Sequence, residues 1–425
     1  MRNKGSKSWS WVPSLYFAEG LPYVLVMEVS VIMYKNLGLS NLEIALYTSW
    51  LYLPWVIKPL WSPVVDVLKT KRWWVTVTQS LIAVCLAGLA YFIPSSYFVQ
   101  STLAIFWLIA FASATHDVAA DGFYMIALTE EKQSFFVGIR NTFYRIALVT
   151  GQGLVVMLAG LLANKHGGDF SFAWSTVFFA VAALFGVIAV YHAVVLPKVE
   201  ERREDKDALV KTSDLFVSFF KKKNIVVALF FILLFRFGEG QLGKMAKIFL
   251  LDSQGEGGLG LTTEDSGLIY GTCGTIALLL GGIIGGIAVS LHGLKRWILV
   301  MALAMNVPDL IYVFFAMFQP DNIWLIAGGV VLEQFGYGFG YTAFTLYLIY
   351  FSQGEYKTGH YALCTGLMAM GMMLAGLVSG YAQEWLGYEL FFIWVCVCTI
   401  PGIILIKYLD IPEGFGRKAE QPEQK

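Results

Sequence analysis

The amino-acid sequence predicts an all-α membrane protein of twelve transmembrane helices in two six-helix bundles, on three observations. The composition is 57% hydrophobic and 16% aromatic against 14% charged, and the mean hydropathy is +0.65, so lipid rather than water is the main solvent. The sequence offers twelve stretches of the length that crosses hydrocarbon, about 20 residues for roughly 30 Å. The second half repeats the landmarks of the first at a shift of about 220 positions.

The first span, 11–34, carries Glu19 and Glu28. It is too long and too charged for a signal peptide and lacks a small-residue cleavage site, so it is expected to remain in the mature protein. Gly20-Leu21-Pro22 is expected to break its helix and free carbonyl groups, because proline has no N–H to give and clashes with the preceding turn. A simple kink with a snorkelling Glu19 is the alternative. The second span, 42–66, ends in Pro59-Leu60-Trp61-Ser62-Pro63-Val64-Val65-Asp66, with Lys69, Lys71 and Arg72 after the turn. An acid at a helix end followed by bases could latch one bundle to the other, with Asp66 and Arg72 as its ends. The third, 73–94, and sixth, 171–196, are read on length and hydropathy alone.

The fourth span, 99–127, holds the densest charge, Ala114-Thr115-His116-Asp117-Val118-Ala119-Ala120-Asp121. Asp117 and Asp121 are four apart and share a helical face. The fifth, 135–163, runs back with Arg140 and Arg145; counting about 1.5 Å per residue from the shared loop sets Asp121 level with Arg140 and Asp117 level with Arg145. An ionisable group at bilayer depth costs about 3 kcal/mol on insertion scales and needs a partner or a wet cavity. One such pair could exchange a proton or a gate contact, with Asp117, Asp121, Arg145, Glu19 and Glu239 as candidates; permanent salt bridges are the alternative. His116 is either a contact for solute or a packed core residue.

Residues 197–223 are the one long polar connection, giving an N-terminal bundle at 1–196, a cytoplasmic linker and a C-terminal bundle with its tail at 224–425. Across it Phe237-Gly238-Glu239-Gly240 overlays Phe17-Ala18-Glu19-Gly20, Lys295-Arg296-Trp297 overlays Lys71-Arg72-Trp73, and Gly359 overlays Gly138. This is the trace of two parallel repeats related by an axis along the membrane normal, which places function on facing helices that rock between two openings. In the seventh span, 224–251, Arg236, Glu239, Gly243 and Lys247 form one stripe, and a charged stripe inside a membrane must face a cavity. The eighth, 262–291, has the glycines of Gly281-Gly282-Ile283-Ile284-Gly285-Gly286 for close helix approach. The ninth, 295–318, carries an isolated Asp309. The tenth, 322–351, shows Glu333, Tyr337, Tyr341 and Phe344 on a broad face; rings that cover a sugar's apolar side and a carboxylate that accepts from its hydroxyls make these, with Tyr23, Arg236, Lys247 and His116, the candidate solute contacts. Spans 358–385 and 389–408 complete the set.

Of the 30 Lys and Arg, those in loops sort to one side when the N-terminus is inside, with only Lys35 and Lys165 outside, which puts both termini in the cytoplasm. The five cysteines fall within spans as small apolar filler, so neither disulfide nor metal site nor cofactor is expected. Zero net charge gives no sign of a nucleic-acid partner; a small solute, protons and lipid are the expected partners of a monomer. A membrane enzyme is disfavoured, since the sequence shows no His and Asp pair at a membrane surface, no metal-ligand spacing and no phosphate-cradling glycine loop. Export of an amphipathic drug would suit a more apolar cavity.

Leu60-Trp61-Ser62-Pro63 with Asp66, Ala112-Ser113-Ala114-Thr115-His116-Asp117 with Asp121, Tyr144-Arg145, Glu333 with Gly336 and Gly338, Ala343-Phe344, and Tyr361-Ala362-Leu363 resemble the muropeptide permeases of the AmpG type, within the major facilitator superfamily and related to acetyl-CoA transporters. The resemblance implies a major facilitator fold in a bacterial inner membrane and proton-driven import of N-acetylglucosaminyl-anhydromuramyl sugars and their peptides. It carries Asp117, Asp121, Arg145, Glu239 and Glu333 as matching polar positions. The chain departs from it at Val67, His116, Glu19 and Met372, where the family more often has Arg, Gln, Ser and Arg.

Overall fold

The computed structural model describes residues 8–199, 208–354 and 356–417. Arg2, Lys4, Lys7, the charged run 200–207 and the end of the tail lie outside the described residues, as does the Asp66 side chain. Regular structure among the described residues is helical throughout.

Among the described residues, nine helices are long and apolar enough to cross a membrane. One of them is two spans in a single run, Lys357–Leu405, bent where Gly387 takes φ +67°. The second span is interrupted between Asn41–Trp50 and Leu53–Val67, and the tenth is Ile323–Phe351, which completes twelve. Local chemistry sets the ends. Ser40 opens the second span with a capping box, its hydroxyl accepting from the Glu43 N–H while the Glu43 carboxylate accepts from the Ser40 N–H, and the Thr70 hydroxyl caps the third by accepting from the Trp73 N–H at 3.2 Å.

The expected break at Gly20-Leu21-Pro22 does not occur. The helix Val12–Val24 runs through Pro22, and the irregularity comes just after it as a π-turn, Leu25–Val29. Gly20 serves packing instead: a Cβ there would lie 2.9 Å from the Tyr144 carbonyl oxygen of span five. Two further π-turns, Thr150–Val155 and Gly267–Gly274, lie in spans five and eight, a feature frequent at functional sites.

The chain divides into two compact units, Met1–Ser213 with Leu261–Thr272, and Asp214–Gly260 with Cys273–Lys425. The division departs from the 197–223 linker in two places. The amphipathic helix Ala208–Phe220 puts Phe219 into the core of the second unit beside Phe231, Phe351 and Cys364. Leu261–Thr272 joins the first unit because Gly267 and Gly271 let backbones touch: a Cβ on them would lie 2.9 Å from the Met157 nitrogen and 2.0 Å from the Gln152 oxygen. The Asn36 amide also donates to the Thr263 hydroxyl at 2.9 Å.

Candidate functional site

In the first unit polar residues of spans one, two and five converge on the two acids of span four. Lys58 donates to Asp117 at 2.8 Å, with both side chains mostly buried. Arg140 meets Asp121 at 3.1 Å, the Tyr16 hydroxyl donates to the same carboxylate at 3.0 Å, and the guanidinium lies over the Tyr16 and Tyr124 rings at 4.5 and 5.3 Å. Glu19 is buried, with one carboxylate oxygen lacking a hydrogen-bond partner, and lies close enough to Asp117 and Asp121 to interact with both. Lys58 of span two is thus a cation on Asp117, and Arg145 is half-buried on span five. Depth along two helices fixes height but not azimuth, so the count that matched Asp117 to Arg145 overlooked a third helix. A lysine at bilayer depth in span two was the available signal.

His116 belongs to a buried chain of hydrogen bonds. The Gln79 amide nitrogen donates to its Nε2 at 2.8 Å, the Gln79 amide oxygen accepts from His192 Nδ1 at 2.9 Å, and the Ser14 hydroxyl meets His192 Nε2 at 2.8 Å. Both imidazoles then carry their hydrogen on Nδ1, and spans one, three, four and six are stitched together through Gln79. Gln79→Leu leaves two buried ring nitrogens unsatisfied, so it is expected to destabilise the protein by about 2 kcal/mol, read as a lower melting temperature in detergent. Tyr23 packs edge-on to Trp55 at 5.3 Å between ring centres. Arg72 donates to the Leu196 carbonyl at 2.9 Å and to that of Ala193, binding the C-terminal carbonyls of span six within its own unit.

In the second unit span seven breaks between Ile225–Leu234 and Phe237–Leu251. Glu239 thereby falls in the first turn of a new helix, where the helix dipole favours a carboxylate. Arg236, at the break, pairs with Glu239 at 3.1 Å, donates to the Tyr337 hydroxyl and lies over the Tyr341 ring at 4.7 Å. Tyr337, Tyr341 and Phe344 follow in a ring-to-ring series with centres 5.8 and 6.3 Å apart. Glu333 is buried and accepts from the Gln334 amide at 3.0 Å; Lys247 is buried one turn after Gly243, whose carbonyl accepts from it at 3.1 Å. A fork that binds carboxylate and phenol while stacking on a ring is not replaced by an ammonium. Arg236→Lys is therefore expected to cost about 2 kcal/mol, again read in thermal unfolding.

The sequence reading thus placed Asp121, Glu239, Arg236, Tyr337 and Tyr341 in shared clusters, and passed over Lys58, Tyr16, Gln79 and His192. Among the described residues no group of three His, Cys, Asp or Glu could hold a metal ion.

The chain is 25% identical to a putative transporter, AmpG 4, of Rickettsia conorii over 93% of this chain and 95% of that protein. It is 25% identical to the anhydromuropeptide permease of Escherichia coli K12 over 92% of this chain and 77% of that protein. In fold it is similar to the nucleoside transporter NupG, at a TM-score of 0.71 and 15% identity, covering 94% of this chain and 98% of that one. A D-xylose-proton symporter matches at a TM-score of 0.71 and 13% identity, covering 97% and 99%. Residues 15–304 match the Major Facilitator Superfamily, and the chain belongs to that family of multi-pass membrane transporters.

Proposed function

We propose that the protein imports cell-wall muropeptide fragments, anhydromuramyl sugars with or without peptide, from periplasm to cytoplasm by alternating access coupled to protons. It would sit in the bacterial inner membrane with both termini cytoplasmic, acting as a carrier rather than an enzyme. The observation that carries the proton coupling is the carboxyl cluster of the first unit: Glu19 lies beside Asp117 and Asp121, which pair with Lys58 and Arg140. Like charges gathered at bilayer depth favour a proton on one of them. A proton arriving on Glu19 or Asp117 also changes which acid needs Lys58, so occupancy can alter how spans one, two and four hold together. The solute class is supported by the ring series Tyr337, Tyr341 and Phe344 beside Arg236, a surface suited to a sugar that carries a carboxylate, and by likeness to an anhydromuropeptide permease.

The test is uptake of labelled anhydromuramyl disaccharide, with and without peptide, into vesicles bearing the protein under an imposed proton gradient. Accumulation that collapses with the gradient is expected. Uptake of the sugar that ignores the gradient removes the coupling, and uptake of neither sugar moves the same carrier to another amphipathic metabolite.

A further inference from the structure

Span nine carries an acid that the transport reading leaves unused. Asp309 lies in the short turn Val307–Asp309 that separates Leu294–Asn306 from Leu310–Phe318. It is 1% exposed, and both of its carboxylate oxygens are buried with no hydrogen-bond donor. One turn back the shortage repeats, since the Asn306 side-chain oxygen is also buried without a partner, and one turn on the buried Tyr312 hydroxyl lies beside Glu333. The Asn306 amide offers no help, because it donates to the Ala302 carbonyl at 2.7 Å. Residues three apart on a helix are neighbours on one face, so this is a row of oxygens facing a region where an ionised carboxylate is strongly disfavoured.

Among the described residues the charged groups that act on it are acids. Span ten presents Glu333 and span seven Glu239, the two acids that act on Asp309. Span twelve presents Cys396, and Lys247 of span seven acts on Glu333. The turn is closely packed: Gly336 lies against span nine so tightly that a Cβ would come 2.1 Å from the Ala304 carbonyl oxygen and 3.2 Å from Pro308. The Tyr312 ring is closed in by Phe249 and Phe392, with centres 6.3 and 5.4 Å away.

We propose that Asp309 is a proton-binding site of the second unit, a carboxyl that holds a proton at neutral pH. One proton resolves the shortage at Asp309 and Asn306. The acid's O–H becomes a donor for the Asn306 oxygen, and the ionic charge that the buried site cannot solvate is removed. The site is separate from Glu19, Asp117 and Asp121 and does not depend on which solute is carried.

The test is infrared difference spectroscopy of the purified protein in sodium-free lipid at neutral pH, wild type against Asp309→Asn. Asparagine keeps the shape and replaces an O–H donor with an N–H donor, so the variant is expected to melt like the wild type while losing the C=O stretch of one protonated carboxylic acid. A folded variant that loses no such band overturns the proposal. So does a wild type that sodium stabilises and a variant that it does not, which would make the occupant a metal cation. Carbodiimide labelling of the wild type guards against a variant that fails to fold: an adduct on Asp309 located by mass spectrometry is expected, and an unmodified Asp309 beside labelled intramembrane acids overturns it.

Discussion

Asp117→Asn is expected to abolish gradient-driven accumulation in vesicles and, separately, to lower stability by about 3 kcal/mol. The second effect follows from leaving a mostly buried Lys58 without its carboxylate; breaking such a pair from one side costs about 3–5 kcal/mol because the remaining charge stays buried and unmatched, and the partial exposure of this pair puts it at the low end. Lys58→Met should cost a similar amount for the mirror reason. The double variant Lys58→Met with Asp117→Asn separates structure from function, because removing both charges removes the penalty. It is expected to recover most of the melting temperature while transport stays lost, since neither the Asp117 carboxyl nor the Lys58 ammonium it exchanges with remains. If the double variant accumulates solute like the wild type, the pair is a permanent structural bridge and proton handling belongs elsewhere, with Glu19 the next residue to replace.

That cycle could not have been designed from the sequence, and the reason is geometric. Helical periodicity shows which side chains share a face, so the span-four acids and the stripe of Arg236, Glu239 and Lys247 were legible in the residues themselves. It does not show which neighbouring helix that face meets. Lys58 sits just ahead of the proline-rich stretch read as a latch, and Gln79, His192 and Ser14 lie far apart in sequence with no shared spacing. Tyr16 looked like one more aromatic in a chain that has 21 tyrosines. Pro22 misled in the other direction: proline removes one N–H, but a helix held on neighbouring spans continues and shifts the disturbance into the next turn. The twelve spans needed only length and hydropathy, which lipid imposes on any chain that crosses it.

The glycines of span eight read as close-packing residues, and the structure turns that into a position-specific expectation for spans eight and ten. A Cβ on Gly338 would stand 1.9 Å from the Leu278 carbonyl oxygen, and one on Gly281 would stand 2.1 Å from that of Phe335, so spans eight and ten meet backbone to backbone at both sites. Carbonyl oxygens cannot swing aside as a side chain can, and the helices themselves must part. Overpacking a core usually costs about 1–3 kcal/mol. Gly338→Val should reach or exceed about 3 kcal/mol, because the separation also strips contacts from the neighbouring residues, and it is expected to leave little monodisperse protein after extraction. Gly328 is the internal control. It lies on the same helix with nothing within 4 Å of the position of a Cβ, so Gly328→Ala should be neutral or gain up to about 1 kcal/mol from helix propensity. Equal melting of the Gly338→Val protein and the wild type would mean that spans eight and ten do not touch at this crossing. A loss shared by both variants would point instead to glycine content along span ten, independent of any one contact.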